Sequence, residues 1–102
     1  MDKILNLLGL ARRAGRLACG SDAVKDGIAK GSTAMVLLTS DASEAHQKYL
    51  AAAGFNGNII HSGYTMEDMF FATGKKICIV GINDAGFADA ILKQYEQEGK
   101  RI

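Results

Sequence analysis

The 102-residue sequence contains no proline and no tryptophan, and it has only two cysteines. Without proline, chain reversals must be made by Asn, Asp, Ser and the twelve glycines. Cys19 and Cys78 lie far apart and belong to no C-x-x-C or Cys/His cluster, so neither a metal site nor a thioredoxin-type motif is indicated. The sequence also lacks a signal peptide, and no apolar run approaches the ~20 residues of a membrane span. We expect a cytoplasmic, reduced protein that has no membrane partner.

An excess of charge of either sign is also missing. The chain has 12 basic and 11 acidic residues, a formal net charge of +1. Taken alone, this near-neutral value argues against a nucleic-acid partner. The hydrophobic content of 48% and the charged content of 23% are typical of a globular domain and exclude global disorder. The length predicts a single domain over residues 1–102.

Apolar periodicity predicts nine alternating elements. Two apolar runs without alternation, 34–39 and 77–82, are typical of strands covered on both faces, and we place them at the centre of the sheet. Shorter strands are predicted at 17–19 and around 59–60. Helical spacing predicts five helices. Four of them begin near Asp2, Glu44, Thr65 and Asp84, and the second helix has Ser21 or Asp22 as its N-cap. The order α-β-α-β-α-β-α-β-α predicts an α/β protein, a three-layer α/β/α sandwich with a four-stranded mixed sheet.

Positive charge is unevenly distributed along this nearly neutral chain. Residues 1–31 hold six bases and three acids, residues 32–73 hold one base and four acids, and residues 74–102 hold five bases and four acids. The excess of bases lies at the end of the first helix and the start of the second, and Lys75 and Lys76 are adjacent. Such a local concentration of cations is what phosphates bind, although a solvated helix face gives the same pattern.

Three segments carry a resemblance to a known family. They are LGLARRAGRL at 8–17, GSDAV at 20–24 and VLLTSDAS at 36–43, and the Gly74–Lys75 step and DAGFA at 84–88 continue the match. With these motifs the chain resembles the kink-turn RNA-binding ribosomal proteins of the L-seven-Ae and L-thirty-e type, in particular their small bacterial YlxQ-like branch. The resemblance implies an α/β/α sandwich and a non-enzymatic RNA-binding protein of the ribosome or its assembly and translation machinery. Its partners would be structured rRNA or mRNA, and ribosomal or translation-factor proteins.

The resemblance also implies where RNA binds. In that family, RNA docks on the strand-to-helix turn that matches Gly20, on the first turn of the following helix, and on the loop before the last strand. A helix N-terminus suits phosphate because of its free N–H groups and its dipole. The RNA-binding residues predicted here come from the end of the first helix, from this turn and from this loop: Arg12, Arg13, Arg16, Gly20, Ser21, Asp22, Lys25, Thr73, Gly74, Lys75 and Lys76.

At three positions the chain departs from the family's pattern. Strong kink-turn binders have Asn, Glu and Lys where this chain has Asp22, Ala23 and Asp26. Asp22 has lost the amide donor, Ala23 makes no side-chain hydrogen bond, and Asp26 replaces a cation with an anion. We therefore expect weaker or differently selective RNA binding than in those proteins.

Two other classes of function are open to this sequence. A protein-interaction module could have kept the fold and lost specific RNA contacts, using Met66, Met69, Phe70 and Phe71 as a docking face. Since three consecutive apolar residues on a helix cannot all point inward, one member of 69–71 is expected to be exposed, where it could equally stack on a base. An enzyme is not expected, because no nucleotide-binding glycine motif and no acid–base arrangement is present. No cofactor is expected either.

The effect of Asp22, Ala23 and Asp26 on RNA binding can be tested by substitution. Restoring the family's residues with Asp22→Asn, Ala23→Glu and Asp26→Lys should raise the affinity for a kink-turn duplex, because it removes two anions and adds a cation and a base-reading carboxylate. Titration of the duplex with the triple variant and with the unchanged protein measures the difference. Equal affinities would show that these three residues do not occupy the RNA-facing positions.

Overall fold

The computed structural model describes residues 2–99 and contains five helices and four strands in the order that the sequence predicts. The helices are α1 (Lys3–Arg13), α2 (Ser21–Ala29), α3 (Glu44–Ala52), α4 (Met66–Thr73) and α5 (Ala85–Gln97). The strands are β1 (Leu17–Cys19), β2 (Met35–Leu38), β3 (Asn58–His61) and β4 (Ile79–Ile82). No helix in this part of the chain is long and apolar enough to cross a membrane.

The four strands form one mixed sheet in the order β1-β4-β2-β3. The two central strands, β2 and β4, run antiparallel, and Leu37 lies opposite Val80. At one edge β3 runs parallel to β2, and at the other β1 runs antiparallel to β4. All four residues of each central strand are buried, which confirms that the two continuous apolar runs form the middle of the sheet.

Helices cover both faces of this sheet. The apolar faces of α1, α4 and α5 pack on one face around Leu8, Met69 and Ile91, and those of α2 and α3 pack on the other around Val24 and Leu50. Each helix therefore buries one stripe against the sheet. The predicted three-layer α/β/α sandwich is confirmed.

The ends of the elements follow local chemistry. Thr65 and Asp68 form a reciprocal capping box at the start of α4, and the Asp84 carboxylate accepts a hydrogen bond from Phe87 N at 2.9 Å at the start of α5. All five helices are followed by a glycine in the left-handed region: Gly15, Gly31, Gly54, Gly74 and Gly99.

The last strand begins two residues later than predicted. β4 starts at Ile79, because β2 ends at Leu38, the residue opposite Ile79 in the ladder. Ile77 and Cys78 therefore belong to the loop before the strand, where Ile77 still packs against the core.

One partly buried hydrogen bond connects the start of α1 to the segment that precedes α4. The Tyr64 hydroxyl donates to Asp2 Oδ1 at 2.7 Å, and this oxygen also accepts from the N–H groups of Ile4 and Leu5 at the start of α1. Burial, and then the neighbouring Asp2 carboxylate, raises the pKa of Tyr64. The phenol therefore remains a donor at physiological pH.

We predict that Asp2→Ala lowers the free energy of unfolding by about 1–3 kcal/mol, since it removes the cap of α1 and leaves the Tyr64 hydroxyl without this acceptor. Urea unfolding followed by circular dichroism measures the loss. Asp89→Ala is the control, because Asp89 is exposed on α5 and pairs with exposed Lys93, so its loss should change stability by no more than about 0.5 kcal/mol. Similar losses in the two variants would contradict the role assigned to Asp2.

Candidate nucleic-acid interface

The end of β1 and the start of β4 meet at one end of the sheet. Because the two strands are antiparallel, Cys19 lies opposite Val80, and Gly20 N donates to Ile79 O at 3.0 Å. The turn from β1 into α2 therefore stands beside the loop 74–78 that leads into β4. The structure thus brings together two segments that are more than fifty residues apart in sequence, and we call their meeting point the Gly20 end of the sheet.

Gly20 determines how α2 begins. Its φ of 93° and ψ of 167° are accessible to glycine and strongly disfavoured for L-residues, and it occupies the N-cap position. The sequence predicted Ser21 or Asp22 as the N-cap, and this was wrong: both are already inside the helix, and no side chain caps it. Within residues 2–99, the N–H groups of Ser21, Asp22 and Ala23 have no hydrogen-bond acceptor. This exposed first turn can accept an anion.

The positive charges of two residues act on the end of β1. Arg12, in the last turn of α1, and Lys75, in the loop before β4, both favour the thiolate of Cys19. Burial raises the pKa of Cys19, and the two cations oppose the rise in part. The charges of Arg12 and Lys75 therefore act on the same position, Cys19, a residue that sequence reasoning treated only as a small buried hydrophobe.

Lys25 lies one turn further along α2, over an aromatic ring. Its Nζ stands 6.0 Å from the centroid of the Tyr49 ring on α3. The Tyr49 hydroxyl is buried and has no hydrogen-bond partner in the described part of the chain; burial and then the Asp22 charge raise its pKa. Sequence reasoning missed Tyr49, because only the packing of α3 beside α2 places it there.

Several cations of the interface differ from most other cations in that they form no ion pair with a carboxylate of residues 2–99. Asp26 and Lys30 pair at 2.9 Å, an i,i+4 contact visible in the sequence, so the anion that replaces a family lysine is already compensated. Lys76 pairs with Glu67 at 3.5 Å. In contrast, no carboxylate of residues 2–99 forms an ion pair with four of the predicted binding residues: Arg12, Arg13, Lys25 and Lys75.

Two predicted binding residues have different positions from the rest. Arg16 lies at the start of β1, where its carbonyl accepts from Asn83 N at 2.9 Å and its side chain lies 3.9 Å from Asp84. At ~3.3 Å per residue, this is about 13 Å from Gly20 along the strand. Thr73 is 2% exposed, and its hydroxyl donates to Met69 O at 2.7 Å and accepts from Lys75 N at 3.2 Å. Thr73 therefore shapes the turn at Gly74 and offers RNA no free hydroxyl.

The end of α4 exposes more apolar surface than predicted. Met69 is buried, whereas Phe70 is 45% and Phe71 73% exposed, so two members of this triplet reach solvent where one was expected. Among residues 2–99, no group of three His, Cys, Asp or Glu side chains is placed to hold a metal ion.

Comparison with known proteins shows similarity at the level of fold. No protein-family model and no curated protein matches the sequence. A solved structure of a protein with unknown function from Bacillus halodurans is 28% identical and superposes with a TM-score of 0.80, covering 94% of this chain and 99% of that one. The Giardia lamblia 15.5kD RNA binding protein is 12% identical and superposes with a TM-score of 0.70, covering 92% of this chain and 82% of that one.

The effect of Arg12 on the Cys19 thiol can be tested by thiol reactivity. Since the thiolate is the reactive form and Arg12 favours it, Arg12→Met should raise the pKa of Cys19 further and slow its alkylation several-fold at pH 8. Iodoacetamide modification followed by mass spectrometry across pH, in a Cys78→Ala background, measures the rate. Arg13→Met is the matched control. An equal effect of both variants on the alkylation rate would show that Arg12 does not act specifically on Cys19.

Proposed function

We propose that this protein binds structured RNA through the Gly20 end of the sheet. The observation that carries the proposal is that the first turn of α2, which no side chain caps, lies at the same end of the sheet as Arg12, Lys25 and Lys75, which form no ion pair with a carboxylate of residues 2–99. Phosphates supply the negative charge for which the interface has free donors and cations. The Giardia RNA binding protein has the same fold, which supports the proposal.

Backbone geometry contributes as much as side chains to this site. Gly20 has no Cβ, so a phosphate can approach the N–H groups of Ser21 and Asp22 closely. Lys25 and Lys75 flank this position from α2 and from the loop before β4. The result is a set of backbone and side-chain donors suited to the sugar–phosphate backbone of a folded RNA.

Two acidic residues near the turn oppose the attraction of phosphate, but to different extents. Asp26 is held by Lys30 at 2.9 Å, whereas Asp22 has no such partner among the described residues and lies in the exposed first turn of α2. Asp22 repels phosphate, but it can accept hydrogen bonds from the amino groups of bases. We therefore propose recognition of structured RNA with kink-turn selectivity weaker than that of proteins with Asn at this position.

The setting we propose is the ribosome or its assembly and translation machinery, as the family resemblance implies. Binding, and not catalysis, is the proposed activity, because the residues gathered at the Gly20 end are phosphate donors and cations. A kink-turn in rRNA or mRNA is the specific target that the resemblance favours.

The proposal predicts that RNA binding depends on salt and that Lys25 and Lys75 contribute both to the affinity and to this dependence. A kink-turn duplex and a plain hairpin should both bind more tightly at about 50 mM than at about 200 mM salt. Lys25→Glu and Lys75→Glu should each weaken binding and lower the slope of log affinity against log salt by roughly 1. Fluorescence anisotropy with labelled RNA measures both quantities.

Lys93→Glu is the matched control, because Lys93 lies on α5 and is paired with Asp89 at 3.0 Å. It should leave the affinity and the slope nearly unchanged. No binding tighter than micromolar to either RNA at low salt would overturn the proposal and favour a protein-interaction module. Equal effects of Lys25→Glu and Lys93→Glu would place the RNA on another face.

A further inference from the structure

A groove between α1 and α4 extends the Gly20 end of the sheet. It has a volume of about 350 Å³, within the range of about 300–1,000 Å³ typical of small-molecule sites. The two helices approach closely along its length, since a Cβ on Gly9 would stand 3.2 Å from Ala72 O. Arg12 and Arg13 line the groove from α1, and Phe71 and Gly74 line it from the end of α4.

The two arginines of this groove have no compensating charge nearby. None of its lining residues is acidic, and neither Arg12 nor Arg13 forms an ion pair with a carboxylate of residues 2–99. Guanidinium groups bind phosphate through paired N–H donors. The charge of the groove therefore fits an anionic occupant.

Phe71 gives the same groove an exposed aromatic ring. It is 73% exposed and lies edge-to-face with Phe70, at 6.3 Å between ring centroids and 70° between ring planes. An aromatic ring held beside cations is the combination that binds unstacked bases in single-stranded nucleic acid. Asn6, which also lines the groove, adds an amide that can donate to and accept from a base edge.

We propose that this groove binds an unstacked nucleotide of the RNA, with its base on Phe71 and its phosphates on Arg12 and Arg13. The inference rests on the proposed RNA binding and adds a second subsite to it. The position of Gly74 favours RNA over an acidic peptide, because Gly74 lines the groove and begins the loop 74–78, whose Ile77 stands against Gly20. A strand that leaves a duplex bound at the Gly20 end therefore passes directly into the groove.

Two RNA hairpins that differ only in a short bulge of unpaired uridines test the subsite. The wild-type protein should bind the bulged hairpin about tenfold more tightly than the uninterrupted one, the scale expected for stacking of one base. Phe71→Ala should remove this preference while leaving the affinity for the uninterrupted hairpin within about twofold. Phe71→Tyr should restore the preference, since it keeps an aromatic face.

Phe70→Ala is the matched control, because Phe70 is the adjacent exposed phenylalanine and does not line the groove. It should retain most of the preference for the bulge. In amide NMR spectra, uridine monophosphate should shift the signals of 71–74 and 12–13 in the wild type and much less in Phe71→Ala.

The outcomes separate this inference from the proposed function. Binding of both hairpins with equal affinity, unchanged by Phe71→Ala, overturns the subsite and leaves RNA binding at the Gly20 end intact. Absence of binding to either hairpin overturns RNA binding itself, and the subsite with it. Binding of a glutamate–tyrosine copolymer that is lost in Phe71→Ala, with no effect on RNA affinity, assigns the groove to a protein partner and overturns the inference.

Discussion

The antiparallel pairing of β1 with β4 determines what the rest of the candidate interface can do. β1 has three residues, and its pairing ends with the hydrogen bond from Gly20 N to Ile79 O. This pairing places the first turn of α2 against the loop that precedes β4. It also places Cys19 where the charges of Arg12 and Lys75 both act on its thiol. The site therefore depends on the register of a short edge strand, which the buried central strand β4 fixes.

A nearly neutral chain can present a cationic surface when its acidic residues form ion pairs with other cations. The carboxylates of Asp26, Glu67 and Asp89 lie against lysines, and that of Asp84 lies near Arg16. These exposed pairs add little to stability, because solvent screens them. The ion pairs do determine which cations remain available for a partner. The positive electrostatic field at the Gly20 end is therefore stronger than the net charge of +1 indicates.

Much of the fold could be predicted from sequence, because each element carries its own local signal. Apolar runs identified β2 and β4, and Thr65 and Asp84 marked helix starts that the structure confirms. The N-cap of α2 was predicted wrongly, since polar Ser21 and Asp22 resemble caps, whereas the N-cap position is occupied by Gly20, whose backbone conformation begins the helix. The separation of Arg16 and the burial of Thr73 arise from strand direction and from a turn, which residue type does not encode. The contact of Lys25 with Tyr49 joins two helices and has no sequence signature.

The left-handed glycine after each helix has a consequence for how the chain reaches this structure. These five glycine turns reverse the chain after the helices, where other proteins often use proline, and the sequence contains no proline. A chain without X–Pro bonds has no prolyl cis–trans isomerisation, the step that delays refolding of many domains by tens of seconds or longer. Its return from the denatured state is therefore governed by collapse and by the pairing of distant strands such as β1 and β4. Refolding of this chain after thermal stress therefore does not depend on a prolyl isomerase.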